Sequence, residues 1–230
     1  MTEITLNVIK PSVNNMTARV FLRAAGVDFS ERDVFGQTRS AEYLARCPSH
    51  LTPMIESEDL PKGALWESCA IMQYFCNKLG LEQYYPKDPA KRAMIDSAMF
   101  YLIGTFYPYL ARATYPLLNF PQYPGEVGYS DADAETKEKA RLAAVEALAE
   151  PLEVFHKFYM DGKPFIGGDK PSIADIRLAA TLEFLAVIDY PLPDWAKTYT
   201  AAMENSLGDA YVEPATDVRG YIGYVKQQRT

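Results

Sequence analysis

Residues 64–80 read ALWESCAIMQYFCNKLG, and this stretch indicates how the first part of the chain folds. The apolar run 64–66 predicts a short strand, and it passes directly into a helix that Ser68 opens and Gly80 ends. A strand that leads into an amphipathic helix is typical of a mixed α/β domain. The helix is expected to bury one apolar face, formed by Ile71, Met72, Phe75, Cys76 and Leu79.

The residues before this stretch extend the same pattern towards the start of the chain. Ile4, Leu6 and Val8 alternate with polar residues, which predicts a first strand. Apolar residues then recur at helical spacing up to Gly26. The remaining predicted elements are a strand over 29–35, a helix over 41–46 that Ser40 caps, and a strand over 53–56.

The residues after Pro89 show helical periodicity and no convincing strand. We expect a long helix that kinks at Pro108, and a second helix over 134–159 with Leu142 on its inner face. The predicted fold class is therefore α/β plus all-α. The predicted division is a first domain over 1–83, a linker over 84–89 and a helical domain over 90–230.

A segment rich in Pro, Gly and Asp, residues 116–134, is predicted to be a long loop. A loop of this length within a compact domain is often a lid or a binding element. A simple surface excursion fits the pattern equally well.

Composition excludes several classes of function. The chain has 230 residues, 30 acidic and 23 basic side chains and a net charge of −7, which argues against a nucleic-acid partner. No apolar run is long enough for a membrane span, and no signal peptide is visible at the start. Three cysteines and two histidines lack the spacing of a metal site or a disulfide scaffold, so we expect no metal and a cytoplasmic location with reduced thiols.

No nucleotide-binding loop, serine-hydrolase elbow or zinc-protease motif occurs in the sequence. One local feature that remains is Pro11-Ser12-Val13-Asn14-Asn15 at the start of the first helix. Amide groups at a helix N-terminus favour an anion and lower the pKa of a thiol held there. Ser12 or Asn14 is a candidate donor to such a thiolate, and simple capping of the helix is the alternative.

Two further features concern backbone and helix ends. A cis Thr52–Pro53 bond would turn the Thr52 backbone outward, where it can pair with another peptide as an added strand edge does. Glu67 and Ser68 stand at a second helix start, where Ser68 can hold a carboxylate or act as an ordinary N-cap.

Taken in order, these features resemble the glutathione transferase superfamily. The resemblance spans nearly the whole chain and implies a thioredoxin-like N-terminal domain followed by an all-helical C-terminal domain. The matching segments are Glu67-Ser68-x-Ala70-Ile71-x-x-Tyr74, Pro48-x4-Pro53 and Pro171-Ser172-Ile173-Ala174-Asp175.

The resemblance also implies a function: a cytosolic, homodimeric detoxification enzyme with glutathione as co-substrate and no metal. Ser12 falls where theta-, phi- and nu-like members carry a serine-type donor, with Asn14 as the alternative. Thr52 and Pro53 would hold the cysteinyl part of glutathione. Ser68 would hold the γ-glutamyl carboxylate, and Glu67 the α-ammonium group.

The sequence departs from the family pattern at two places. Neither Tyr nor Cys occupies the start of the first helix, which disfavours tyrosine-type and cysteine-type members. His50 and Leu51 replace residues that often precede the family's Val-Pro pair, so no side-chain contact to glutathione is expected from Leu51.

The second substrate is expected to be a small, mostly apolar electrophile such as an epoxide or an activated halide. Its predicted pocket lies near Pro108 and is lined by Tyr101, Phe106, Tyr107, Arg112 and Tyr115. Two alternatives remain open: a glutathione-dependent disulfide oxidoreductase, and a non-catalytic ligand-binding relative.

Overall fold

The first part of the chain folds around one mixed sheet. The computed structural model describes residues 3–118, 120 and 126–229. The sheet contains four strands: β1 (Thr5–Val8), β2 (Ser30–Asp33), β3 (Met54–Glu56) and β4 (Ala64–Trp66). They lie in the order β2-β1-β3-β4, with β1 parallel to β2 and β3 antiparallel to both of its neighbours.

Three helices connect and cover these strands: α1 (Val13–Ala24), α2 (Ala41–Arg46) and α3 (Ser68–Leu79). Ser40 caps α2 through its side chain, and Gly80 ends α3 in the left-handed conformation, both as predicted. The predicted order of strands and helices in this part is confirmed.

The second part is entirely helical in the residues that the structure describes, which confirms the predicted fold class. Two π-helical segments (Leu102–Phe106 and Phe155–Met160) and two 3-10 segments (Val127–Tyr129 and Glu183–Ile188) interrupt or join its helices. The helices are α4 (Pro89–Tyr101), α5 (Tyr107–Leu118), α6 (Ala134–Ala147), α7 (Ala149–Val154), α8 (Ile173–Leu182), α9 (Asp194–Leu207) and α10 (Asp209–Gln227).

The structure corrects several details of the helical part. A π-helical segment, Leu102–Phe106, interrupts the long helix just before Pro108, and α5 continues through Pro116 to Leu118. The kink at Pro108 stays a prediction. The predicted loop is therefore shorter, and part of the predicted lid lies outside the described residues. Leu142 is exposed rather than inward, because α6 turns the side of Ala144 towards the core and Leu142 lies two positions away, on nearly the opposite side. The domain boundaries at 83 and 90 stay a prediction.

Helix α1 is the element that connects the two parts. Nine of its twelve residues are buried, and it packs against α3 on one side and against α8 and α10 on the other. Arg19 of α1 pairs with Glu31 at 3.0 Å and with Asp217 of α10 at 2.8 Å. The start of α1 therefore lies where the sheet domain meets the helical bundle.

The start of α8 is fixed by a capping box within the segment Pro171-Ser172-Ile173-Ala174-Asp175, one of the matches to the family. Ser172 and Asp175 hydrogen-bond reciprocally, and Asp175 also accepts hydrogen bonds from the backbone of Ile166 and Gly167. These bonds hold the connection before α8 and fix the position of that helix against α1.

Candidate active site

The N-terminus of α1 presents an uncapped amide end. Ser12 has the extended backbone of an N-cap residue, but its side chain makes no capping hydrogen bond. The Ser12 hydroxyl is therefore available to a ligand at the positive end of the helix dipole. Simple capping, the alternative interpretation of Ser12, is not what the geometry shows.

The Asn14 side chain is held between α1, α5 and α8. Its Oδ1 accepts a 2.6 Å hydrogen bond from Nη2 of Arg177, and its Nδ2 donates to the Tyr107 hydroxyl at 2.8 Å. The Tyr107 and Tyr115 hydroxyls then share a hydrogen bond of 2.6 Å. A continuous polar chain thus runs from α8 through the start of α1 to α5.

The Thr52–Pro53 segment lies beside the same helix start. Its peptide bond is cis, as the sequence analysis expected. Asn15 is fully buried, and its Nδ2 donates to Oγ1 of Thr52 at 2.9 Å. This contact fixes the loop that carries Thr52 and Pro53 against α1.

Glu67 and Ser68 form the start of α3, but Ser68 is not the N-cap residue that the capping alternative requires. Glu67 is the N-cap residue and adopts φ 77° and ψ 114°, and Ser68 is the first residue inside the helix. Residues other than glycine rarely adopt such a φ, and outliers of this kind cluster at functional sites. The Ser68 side chain makes no contribution as an N-cap, so it remains a candidate for holding a carboxylate.

The structure separates the five residues predicted to line the electrophile pocket. Tyr107 and Tyr115 lie at the site with Asn14, as described above. Phe106 is fully buried and packs on Phe155, and Tyr101 packs on the same ring, so both belong to the aromatic core of the helical part. Their packing favours a structural role, and their part in the pocket stays a prediction.

Arg112 differs from its predicted role as well. Its guanidinium forms a two-pronged ion pair with Glu126 at 2.8 and 2.7 Å, and this carboxylate holds the pKa of Arg112 above its usual value. The positive charge of this predicted pocket residue is therefore already neutralised by a neighbour.

Sequence reasoning missed three contributors to the site. Phe120 lies between Tyr115 and Tyr221, with ring centroids 5.5 and 5.7 Å away. Arg177 and Asn15 supply the hydrogen bonds that fix Asn14 and Thr52. The available signal for Arg177 was a basic residue in a helical run, residues 173–182, whose other polar residues are Asp175 and Thr181.

The three cysteines are free and buried. Burial raises the pKa of the Cys69 thiol, although the Arg177 charge beside it opposes this rise. Burial also raises the pKa of Cys76 to about 12. Both thiols are therefore protonated at neutral pH, which makes them poor nucleophiles.

Other features lie apart from this site or are absent from the described residues. Two cavities of about 340 and 350 Å³ are lined by residues of the helical part that do not include the site residues. Within residues 3–118, 120 and 126–229, no group of His, Cys, Asp or Glu side chains is arranged to hold a metal ion. Over the same residues, no helix is long and apolar enough to cross a membrane.

Comparison with known proteins matches both parts of the chain. Residues 3–77 match the family described as glutathione S-transferase, N-terminal domain, and residues 136–204 match glutathione S-transferase, C-terminal domain. Among individual proteins, the chain is 28% identical over 174 residues to glutathione S-transferase D6 of Drosophila melanogaster, covering 74% of this chain and 72% of that protein.

Solved structures share the fold over nearly the full length. A delta-class glutathione transferase of Nilaparvata lugens superposes with a TM-score of 0.74 at 23% identity, covering 96% of this chain and 99% of the other. Human glutathione transferase theta-2, in complex with glutathione and an unknown ligand, gives a TM-score of 0.77 at 21% identity, covering 98% and 91%. At these identities the likeness establishes the fold.

Burial of all three thiols, with the raised pKa of Cys69 and Cys76, predicts that no protein cysteine of the native chain reacts readily. We expect less than one thiol per chain to react with a disulfide reagent at neutral pH within minutes. After unfolding in guanidinium, all three should react, which provides the control. Rapid stoichiometric labelling of Cys69 in the native protein would contradict this result and favour a thiol-exchange site.

Proposed function

The chain belongs to the glutathione transferase superfamily, and we propose that it joins the glutathione thiol to a small, mostly apolar electrophile at the start of α1. The observation that carries the proposal is the pair of donors at that helix end. The Ser12 hydroxyl is not used in capping, and the Asn14 amide is held in one orientation by Arg177. Both can donate a hydrogen bond to a thiolate.

Glutathione would lie along the edge of the sheet domain. The Thr52 backbone would pair with its cysteinyl unit as an added strand does, next to Pro53. Ser68 and the amide end of α3 suit the γ-glutamyl carboxylate, since a helix N-terminus attracts an anion. Glu67 is exposed at the same helix end, where its carboxylate suits the α-ammonium group.

The chemistry we propose is activation of the bound thiol followed by nucleophilic attack. A thiolate is the reactive form, and hydrogen bonds to a charged group are worth about 1.5–3 kcal/mol each. Ionising the thiol at neutral pH and holding it beside the electrophile removes both an energetic and an entropic part of the barrier.

The electrophile would bind against the helical part, beside Tyr107 and Tyr115. Their hydroxyls share a hydrogen bond next to Asn14, and the Tyr115 ring packs on Phe120. This combination of aromatic surface with a few hydroxyl groups suits a small apolar molecule. A hydroxyl donor there would stabilise the oxyanion that forms when an epoxide ring opens.

Two other functions are distinguished by the same reagents. A glutathione-dependent disulfide oxidoreductase would use Asn14 as the thiolate donor, and it would reduce mixed disulfides faster than it conjugates electrophiles. A non-catalytic relative would bind glutathione without either activity. The buried, protonated cysteines argue against exchange through a protein thiol.

Activity at neutral pH is expected to depend on Ser12. Ser12→Ala should slow conjugation by about 10- to 100-fold, because one hydrogen bond to the thiolate is lost. Steady-state kinetics with saturating glutathione measures this, and Asn14→Ala is the matched comparison. Full activity of Ser12→Ala together with an inactive Asn14→Ala would move the donor role to Asn14.

The hydroxyl pair is expected to matter for some electrophiles and not for others. Tyr107→Phe and Tyr115→Phe should slow epoxide opening by up to about 100-fold and leave halide displacement nearly unchanged, because only the epoxide forms an oxyanion. Substrate profiling of both variants measures the effect, with Tyr101→Phe as control, since Tyr101 packs in the core. If neither variant changes any rate, and only disulfides react, the pocket is assigned wrongly.

We also propose that two copies of the chain associate through the outer face of α4 and the segment after it. Met94, Phe100 and Ile103 are exposed there at 44, 68 and 40%. Apolar groups clustered on a surface are typical of an interface. Light scattering is expected to give a dimer for the native chain and a monomer for Phe100→Glu, whereas a native monomer would contradict the proposal.

A further inference from the structure

Arg177 is a buried cation that pairs with no carboxylate among the described residues. The residue is only 3% exposed to solvent. In the part of the chain that the structure describes, its guanidinium contacts are the Asn14 amide, Thr181 at 2.9 Å and Thr17 at 3.5 Å. All three are neutral, and the Nε of Arg177 makes no hydrogen bond at all. Burying a charge without an opposite charge is costly, so a compensating anion is expected.

Arg19 shows what a compensated buried arginine looks like in the same molecule. It is 4% exposed and lies on the same helix as Asn14, but it is paired with two carboxylates, Glu31 and Asp217. The two arginines are therefore similar in burial and differ in neutralisation.

The charged and titratable groups around Arg177 do not neutralise it. Cys69 of α3 is beside it, but burial raises the pKa of that thiol and keeps it neutral. The Tyr107 ring faces the guanidinium, whose carbon lies 5.0 Å from the ring centroid. The ring attracts the cation but carries no charge that could neutralise it. Acidic groups on α8 and the elements that contact it have other partners: Asp96 with Gln73 and Tyr85, Asp175 with Ser172 and Tyr199, Glu183 and Glu204 with Arg219, and Asp194 with Lys197. Glu31 and Asp217 are paired with Arg19 of α1. Glu67, at the start of α3, is exposed, so water screens its charge from the buried guanidinium.

Arg177 also sets the direction of the Asn14 amide. A guanidinium only donates hydrogen bonds, so the atom it contacts must be the amide oxygen. The amide nitrogen is thereby turned towards the Tyr107 hydroxyl, and one of its two hydrogens is used there. The second hydrogen is left for a ligand at the start of α1.

We propose that Arg177 is a positioning residue that orients the Asn14 amide and supplies, through it, the uncompensated positive charge that favours the thiolate form of bound glutathione. The inference rests on the proposed function and identifies the glutathione sulfur as the anion that Arg177 lacks. It assigns to α8 a part in activating a thiol that is bound at α1.

The test is an ultraviolet titration of the thiolate in the complex with saturating glutathione, which needs no electrophile. In the native protein, the pKa of the bound thiol is expected to lie below that of free glutathione. Arg177→Gln should raise it by about 1–3 units, the effect of losing an opposite charge at close range. Arg177→Lys should restore part of the shift, because the charge remains. Arg19→Gln is the matched control, with an unchanged thiol pKa and a lowered melting temperature.

If Arg177→Gln does not fold, Asn14→Asp gives the same test with Arg177 in place, because it sets a carboxylate against the guanidinium. It should also raise the thiol pKa. One result overturns the inference and leaves the proposed function standing. In that result, the native protein lowers the thiol pKa below that of free glutathione, and the Arg177 variants or Asn14→Asp give the same lowered value. An unshifted native thiol pKa, or no glutathione binding, overturns both.

Discussion

Helix α1 is packed between α3 on one side and α8 and α10 on the other, so its buried polar groups must find partners in both parts of the chain. Asn14 hydrogen-bonds to Arg177 and Tyr107 of the helical part, and the Asn15 Nδ2 donates to Thr52 of the sheet domain. A buried polar group that loses its partner costs about 1–3 kcal/mol, so these bonds restrict how the two parts can be placed. The site depends on this constraint, because its components come from elements of both parts of the chain.

The same arrangement explains why chemistry is placed at the start of α1. The helix end offers unpaired amide groups, and the low-dielectric surroundings strengthen every interaction with a charge. The donors there come from α1 itself, while the positive charge comes from α8 and the aromatic surface from α5. A thiol bound from the sheet side would meet all three together.

Local sequence patterns were sufficient for much of the fold. The Ser40 cap, the left-handed Gly80 and the Ser172–Asp175 capping box each involve residues only a few positions apart, so their spacing carries the signal. Helix starts indicate Ser12 and Glu67 as candidates, and the family resemblance assigns them roles towards glutathione. The end of α5 was misjudged because Pro116 was taken as a breaker, whereas α5 includes it and continues to Leu118.

The rest could not be predicted because it depends on contacts between distant residues. Arg177 and Asn14 are 163 positions apart, and no periodicity links them. Phe106 and Tyr107 are neighbours in sequence, yet the Phe106 ring lies in the core and the Tyr107 hydroxyl lies at the site. Consecutive helical residues point in different directions, so sequence proximity does not place them together. The ion pair that neutralises Arg112 joins it to Glu126, 14 positions further along the chain, and no local pattern indicates this contact.

The central claim is that this chain ionises the thiol of glutathione, and proton release on binding tests it most directly. Calorimetric titration at neutral pH in two buffers of different ionisation enthalpy measures the number of protons released. The account predicts release of close to one proton per site for glutathione and none for S-methylglutathione, which has no thiol proton to lose. Binding of both ligands without any proton release would contradict it.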